Sequence, residues 1–238
     1  MFKVSVDGNR LSVALNVMKS YVKEGYIYFD DPNVMFMKGM DIAMVGIVEC
    51  KLMCVCEGTP NMVCVEFGQL PSDISGDVEL EVDKRIILHQ GRITHKIDTL
   101  HPTTVREPGT PKVPFQMVFD LPSSELQMGL KAVVAKLDQK DTSAFVRMTW
   151  KDDQFIIEDG TQSKVDVTYD KAELGIRLDY SGTLSTGLPA DYIRSLISPL
   201  GKFDKAIVAF GNNMPVSIGV NGDGIGAGWF TSNRNMDV

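Results

Sequence analysis

Ser124-Glu125-Leu126-Gln127-Met128-Gly129-Leu130-Lys131-Ala132-Val133-Val134-Ala135-Lys136-Leu137 places apolar side chains at 126, 130, 133 and 137, spaced four, three and four. That spacing lays one apolar stripe along a helix. Ser124 and Gln127 have the spacing of a capping box at its start. The stretch has a counterpart early in the chain. Residues 9–23 carry Leu11, Leu15, Met18 and Val22 at the same intervals, and Asn9 stands where an N-cap is expected.

The likeness of the two stretches extends to the segments downstream of each. Strand-like segments are expected at 26–29, 34–37 and 44–52 after the first helix, and at 144–150, 154–158 and 164–169 after the second. The first half closes with Asp77-Val78-Glu79-Leu80-Glu81-Val82, whose strict alternation suits a half-buried strand, then 85–88 and 92–97. The second half closes with a short helix at 189–198, which Pro199 should end, and strands at 206–210, 216–220 and 225–230. Between the halves, residues 98–114 hold Pro102, Pro108, Pro111 and Pro114. That density resists both helix and central strand, so the segment reads as an extended connector. The fold class expected is α+β: a first domain at 1–97, a connector at 98–114 and a similar second domain at 115–238.

Composition narrows the function classes. The chain has 238 residues, enough to bury two modest cores. It contains no run of 18 apolar residues, so no membrane-spanning helix is expected. Met1-Phe2-Lys3-Val4-Ser5-Val6-Asp7 reads as a first strand and not as a leader, so the protein is expected to stay inside whatever cell makes it. A net charge of −7 argues against a protein that coats nucleic acid, yet it allows one that presents a single basic face. Cys50, Cys54, Cys56 and Cys64 lack zinc-site spacing and have no nearby histidine, so reduced thiols are expected and no metal. His89, His95 and His101, six apart, match no common ligand pair. No nucleophile-elbow, P-loop or zincin pattern occurs. Gly222-Asp223-Gly224-Ile225-Gly226 is followed by a strand and reads as a hairpin turn. An enzyme and a cofactor are therefore not expected.

The order of elements resembles the DNA sliding clamps of the proliferating cell nuclear antigen family, in its archaeal form. Gly39-Met40-Asp41 before Val45-Gly46-Ile47-Val48 is similar to that family's Met-Asp turn entering an apolar strand. Asp120-Leu121-Pro122-Ser123-Ser124-Glu125-Leu126 is similar to the opening of its second domain, and Phe210-Gly211-Asn212-Asn213-Met214-Pro215-Val216 to its C-terminal loop and strand. Val105-Arg106-Glu107-Pro108 resembles its connectors. Two departures stand out. Residues 68–75 replace a full second helix in the first half, and Thr231-Ser232-Asn233-Arg234 replaces the usual Leu-Ala-Pro-Arg ending.

The resemblance implies three subunits closed head to tail, with sheets outside and helices lining a hole for duplex DNA. Contacts with phosphates are then weak and blind to sequence, so that the ring slides. Lys19, Lys23, Lys131, Lys136, Arg194 and Lys202 are the cations implied for that lining, with Lys140 nearby. An ordinary solvated helix face accounts for any one of them equally well. The resemblance also implies an apolar pocket under the connector for short peptides of DNA polymerase and other partners. Met40, Met44, Ile47, Val105, Pro215, Trp229 and Phe230 are its implied lining, with plain core packing as the alternative for Met44 and Ile47. Residues 92–97 and 164–169 are the implied edges for ring closure, and a clamp loader is an implied partner. The competing expectations are a clamp-like polymerase accessory factor that acts alone or in a mixed ring, and a two-domain interaction protein with no DNA role.

Overall fold

The computed structural model describes residues 2–43, 45–58, 62–109, 111–138, 140–161 and 165–232. The chain divides into two compact units, 1–109 with 223–227, and 110–222 with 228–238.

In the first unit β1 (Phe2–Asp7) leads into α1 (Gly8–Tyr21), followed by β2 (Glu24–Asp31), β3 (Val34–Met40), β4 (Gly46–Glu57) and β5 (Met62–Glu66). A single 3-10 turn at Phe67–Gln69 precedes β6 (Asp77–Val82), β7 (Arg85–Gln90) and β8 (Ile93–Asp98). All pairings are antiparallel, in the order β5–β2–β3–β4–β1–β6–β7–β8. The α1 stripe is real: Leu11, Leu15, Met18 and Val22 are all buried. Its cap is not Asn9 but Asp7, whose carboxylate accepts the Arg10 N–H at 2.9 Å. Asp7 ends β1 in extended geometry, so one residue closes the strand and opens the helix. Val22 is already extended, so the helix stops at Tyr21 and Lys23 lies beyond it.

The second unit runs β9 (Met117–Pro122), α2 (Ser123–Val134), β10 (Phe145–Lys151), β11 (Gln154–Asp159) and β12 (Asp166–Asp170). After a 3-10 turn at Lys171–Glu173 come β13 (Gly175–Leu178), β14 (Leu184–Pro189), α3 (Ala190–Leu200), β15 (Lys205–Phe210), β16 (Val216–Gly222) and β17 (Ile225–Thr231). One sheet is β12–β11–β10–β14, and β13–β9–β15–β16 forms another set of neighbours. No side chain caps α2, so the expected capping box at Ser124 is absent. The helix begins one residue earlier, at Ser123, whose hydroxyl donates instead to the Leu200 carbonyl at 2.8 Å. It also ends earlier than 137; Leu137 is buried in the turn after it. Pro199 does not end α3. It sits buried in the last turn, where its fixed φ suits a helix and only one internal bond is lost.

The internal repeat is visible in the pairings. β5–β2–β3–β4 corresponds to β14–β10–β11–β12, and β1–β6 to β9–β15. The 12-residue β4 pairs with both β3 and β1, whereas the second unit breaks the same path into β12 and β13 around the Lys171–Glu173 turn. Where the second unit has α3, the first has only the 3-10 turn at Phe67–Gln69.

Candidate functional site

In the first unit, α1 faces the irregular segment that replaces the second helix. Ser12 Oγ donates to the Ser72 carbonyl, and Lys19 Nζ donates to Leu70 O and Ser72 Oγ, each at 2.5 Å. A segment without helical hydrogen bonds needs outside partners for its backbone, and Lys19 supplies one. Burial lowers the pKa of Lys19, and the charge of Asp73 partly offsets this. The Lys19 ammonium is thus directed at its own chain. Lys23 is exposed and lies 3.6 Å from Glu66.

In the second unit α2 and α3 lie side by side, joined by Gln127 Nε2 to Ile197 O at 2.8 Å and by Ser123 to Leu200. Lys131, on the last turn of α2, is exposed; so are Lys136 and Lys140 beyond the helix end. Lys202 is exposed in the turn after α3. Arg194 differs, because its side chain is only 24% exposed and its guanidinium pairs with Asp191 at 2.6 Å. Of the cations expected to line the hole, those exposed in this unit are therefore Lys131, Lys136, Lys140 and Lys202, while Arg194 is paired with Asp191.

Among the residues expected to dock peptides, Met40, Ile47 and Val105 belong to the first unit, and Pro215, Trp229 and Phe230 to the second. Met44 lies outside the described residues. Met40 and Ile47 are directly opposite each other on β3 and β4, and both are half-buried. The turn between these strands is built by Asp41, whose carboxylate accepts the N–H groups of Ala43, Val45 and Gly46 at 2.6–3.1 Å. Trp229 is buried on β17 beside half-buried Phe230, and Pro215 is half-buried.

Val105 is buried with Tyr26 and Cys64. Residues that sequence reasoning missed hold it there. Tyr26 Oη donates to Val105 O at 2.6 Å, Tyr28 Oη to Glu107 Oε1 at 2.8 Å, and Leu100 N–H to Cys64 O at 2.8 Å. Burial, reinforced by the Glu107 carboxylate, pushes the Tyr28 phenol well above its ordinary value. The only sequence signal was a Tyr-Ile-Tyr strand and a connector glutamate, far apart in the chain.

The thiols are sheltered. Cys50, Cys54 and Cys64 are buried, and Cys54 and Cys56 share a face of β4 with their sulfurs 3.5 Å apart. Burial pushes Cys50 and Cys54 up to about 12, so they stay protonated. Among the described residues no group of three or more His, Cys, Asp or Glu side chains is placed to hold a metal ion. No helix among them is long and apolar enough to cross a membrane.

No protein-family model matches the sequence, and no curated protein matches it. Solved structures do match. A proliferating cell nuclear antigen (PCNA) of A. fulgidus, bound to the C-terminal region of FEN-1, is 17% identical, with a TM-score of 0.84 over 100% of both chains. The antigen of Entamoeba histolytica is 12% identical, with a TM-score of 0.79 over 98% of each chain. A PCNA2–PCNA3 complex from Sulfolobus tokodaii is 14% identical, with a TM-score of 0.74 over 98% of this chain and 99% of that one. With its paired strand–helix units and its antiparallel sheets, the chain has, from end to end, the fold of the PCNA sliding clamps.

Proposed function

We propose that this chain is one subunit of a DNA sliding clamp, a non-catalytic ring that encircles duplex DNA and tethers DNA polymerase and other partners. The observation that carries this reading is the end-to-end agreement of fold with PCNA structures. Its domains are 1–97 and 115–238, joined by the connector at 98–114, and three copies close the ring. Lys131, Lys136 and Lys202 supply the sequence-blind attraction to phosphates, Lys23 adds to it from the first unit, and Lys19 and Arg194, already engaged with Leu70, Ser72 and Asp191, contribute least. Met40, Ile47, Val105, Pro215, Trp229 and Phe230, with Met44, receive partner peptides; the A. fulgidus structure holds a C-terminal region of FEN-1. Loading by a separate opener and action inside the cell accord with a closed ring on chromosomal DNA.

Light scattering across a concentration series, joined to a polymerase processivity assay, tests this. A three-subunit mass with longer extension products supports the ring. Lys131, Lys136 and Lys202 changed together to Glu should abolish the gain while leaving the mass intact. A one-subunit mass at all concentrations would sink the homotrimer. The S. tokodaii complex of two different subunits favours a mixed ring as the second reading in that case.

A further inference from the structure

Cys54 and Cys56 are neighbours on the inward face of β4, with their sulfurs 3.5 Å apart. Cys56 is half-buried, so solvent reaches it, whereas Cys54 is buried. The other two thiols stand apart. Cys50 shares the face but lies four residues back, roughly 13 Å by the rise of a strand. Cys64 is packed on β5 against Tyr26 and Val105. The pair is also asymmetric. Burial raises the pKa of both thiols, and the hydrogen bond between them raises Cys54 further while lowering Cys56. The Cys54 hydrogen is thus directed at the Cys56 sulfur, and Cys56 is the first of the two to give up its proton.

We propose that Cys54 and Cys56 form a reversible oxidation site, a dithiol that hydrogen peroxide converts to a disulfide within β4. The Cys56 thiolate attacks one peroxide oxygen and the O–O bond breaks. The departing hydroxide takes up the proton that Cys56 had released and becomes water, leaving a sulfenic acid on Cys56. The Cys54 sulfur then attacks the Cys56 sulfur and the S–O bond breaks. The hydroxyl leaves with the Cys54 proton as a second water. The two thiols lose two electrons and one peroxide gains them. A small thiol in excess reopens the bond by exchange and itself becomes the disulfide.

Closing the bond loads the strand at Val55. Residues two apart in a strand stand about 6.4–6.8 Å apart at Cα. That is the wide end of the span of a disulfide, about 4.4–6.8 Å, so the strand must shorten there. Cys54 N–H donates to Asn33 O at 3.0 Å and Cys56 N–H to Pro32 O at 2.8 Å, which ties the even residues to the turn between β2 and β3. Val55 turns its backbone the other way, toward Ser5 of β1. The β1 ladder is therefore the one that loosens on oxidation, and the strain makes the bond easier to reduce. Because β4 joins β3 to β1, oxidation weakens the first unit along that seam.

Peroxide treatment of the full chain at mildly alkaline pH, then capping of free thiols in denaturant and digestion after lysine and glutamate, reads the bond directly. Cleavage after Lys51 and Glu57 isolates residues 52–57, which hold only these two cysteines. That peptide should emerge uncapped and lighter by two hydrogens, and free thiols should fall from four to two. Dithiothreitol should restore all four. In the oxidised chain the Val55 amide should exchange with deuterium about tenfold faster. The Cys54→Ser chain should stop at a sulfenic acid on Cys56, trapped by a cyclic diketone. In the Cys56→Ser chain the Cys54 thiol should be oxidised about tenfold more slowly than Cys56 is in Cys54→Ser. A bond to Cys50, to Cys64 or between two chains would overturn the pairing. So would four intact thiols under conditions that oxidise the same chain in urea, a result that needs no variant to fold. Equal rates in the two serine variants would overturn the order of attack, and an unchanged Val55 amide the strain.

Discussion

Gly129→Ala sets two opposed effects against each other on the inner face of α2. Alanine is favoured over glycine within a helix by about 1 kcal/mol. Against this, a Cβ at 129 would stand 2.4 Å from Tyr169 Oη. Ordinary contact requires the hydroxyl to retreat by roughly 1 Å. Tyr169 cannot swing freely, because its ring stacks on Phe155 with centroids 6.0 Å apart. Its hydroxyl donates to Glu125 O at 2.8 Å, and the retreat breaks that bond. Glu125 is exposed and its carbonyl recovers water, so the lost bond costs about 1 kcal/mol, the low end of the range. Overpacking adds about 2 kcal/mol. The net expectation is destabilisation of about 2 kcal/mol, seen in urea unfolding as a midpoint lower by roughly 1 M. In a Tyr169→Phe background the obstacle is gone, and the same substitution should stabilise by about 1 kcal/mol. Gly129→Ala stabilising the unaltered chain, or costing the same in both backgrounds, would refute the packing argument.

Two further outcomes are expected. Asp120, only 10% exposed, accepts Arg177 Nε at 2.9 Å and contacts Lys205 Nζ. Hydrogen bonds from Lys205 and Arg177 hold its carboxyl below the ordinary 3.8. A depressed carboxylate stabilises the fold above its unfolded value and loses that contribution as pH falls through its folded one. Asp120→Asn should therefore cost about 1–2 kcal/mol at neutral pH, modest because both cations are half exposed and regain water. In denaturant melts the gap to the unaltered chain should close as pH drops below 3.8; a gap constant with pH would count against the ion pairs. Tyr26→Phe should loosen the connector, speeding tryptic cleavage after Arg106 by about tenfold, and Tyr28→Phe by less, since its bond to Glu107 is exposed. Unchanged cleavage would show that the hydroxyls do not hold the connector.

Local periodicity made much of the fold legible. The stripes at Leu11–Val22 and Leu126–Val133 were visible because a helix repeats every 3.6 residues whatever its surroundings. Alternation likewise located Asp77–Val82. The helix starts were misjudged, since Asp7 and Ser123 act through a strand end and through the distant Leu200 carbonyl. Neither partner is marked by spacing. The commitment of Lys19 to Leu70 and Ser72 was also hidden, whereas that of Arg194 to Asp191, three residues earlier on the same helix, is marked by spacing. A face can be read from period, but whether a cation on it meets water or a carbonyl depends on chain far away. The grip of Tyr26 and Tyr28 on the connector was lost for the same reason, with about 80 residues between partners.

Residues 223–227 complete the first unit, where Gly224 O accepts Met53 N–H and Asp223 meets Arg10 at 2.7 Å. During synthesis the first 109 residues therefore wait for a piece made near the end. At roughly 5–20 residues per second, that interval lasts several seconds or more. Through it, the backbone of β4 at Met53 lacks its native acceptor, and Arg10 its carboxylate. The amino-terminal half of this protein is the first to be made, yet it can finish folding hardly sooner than the half made after it.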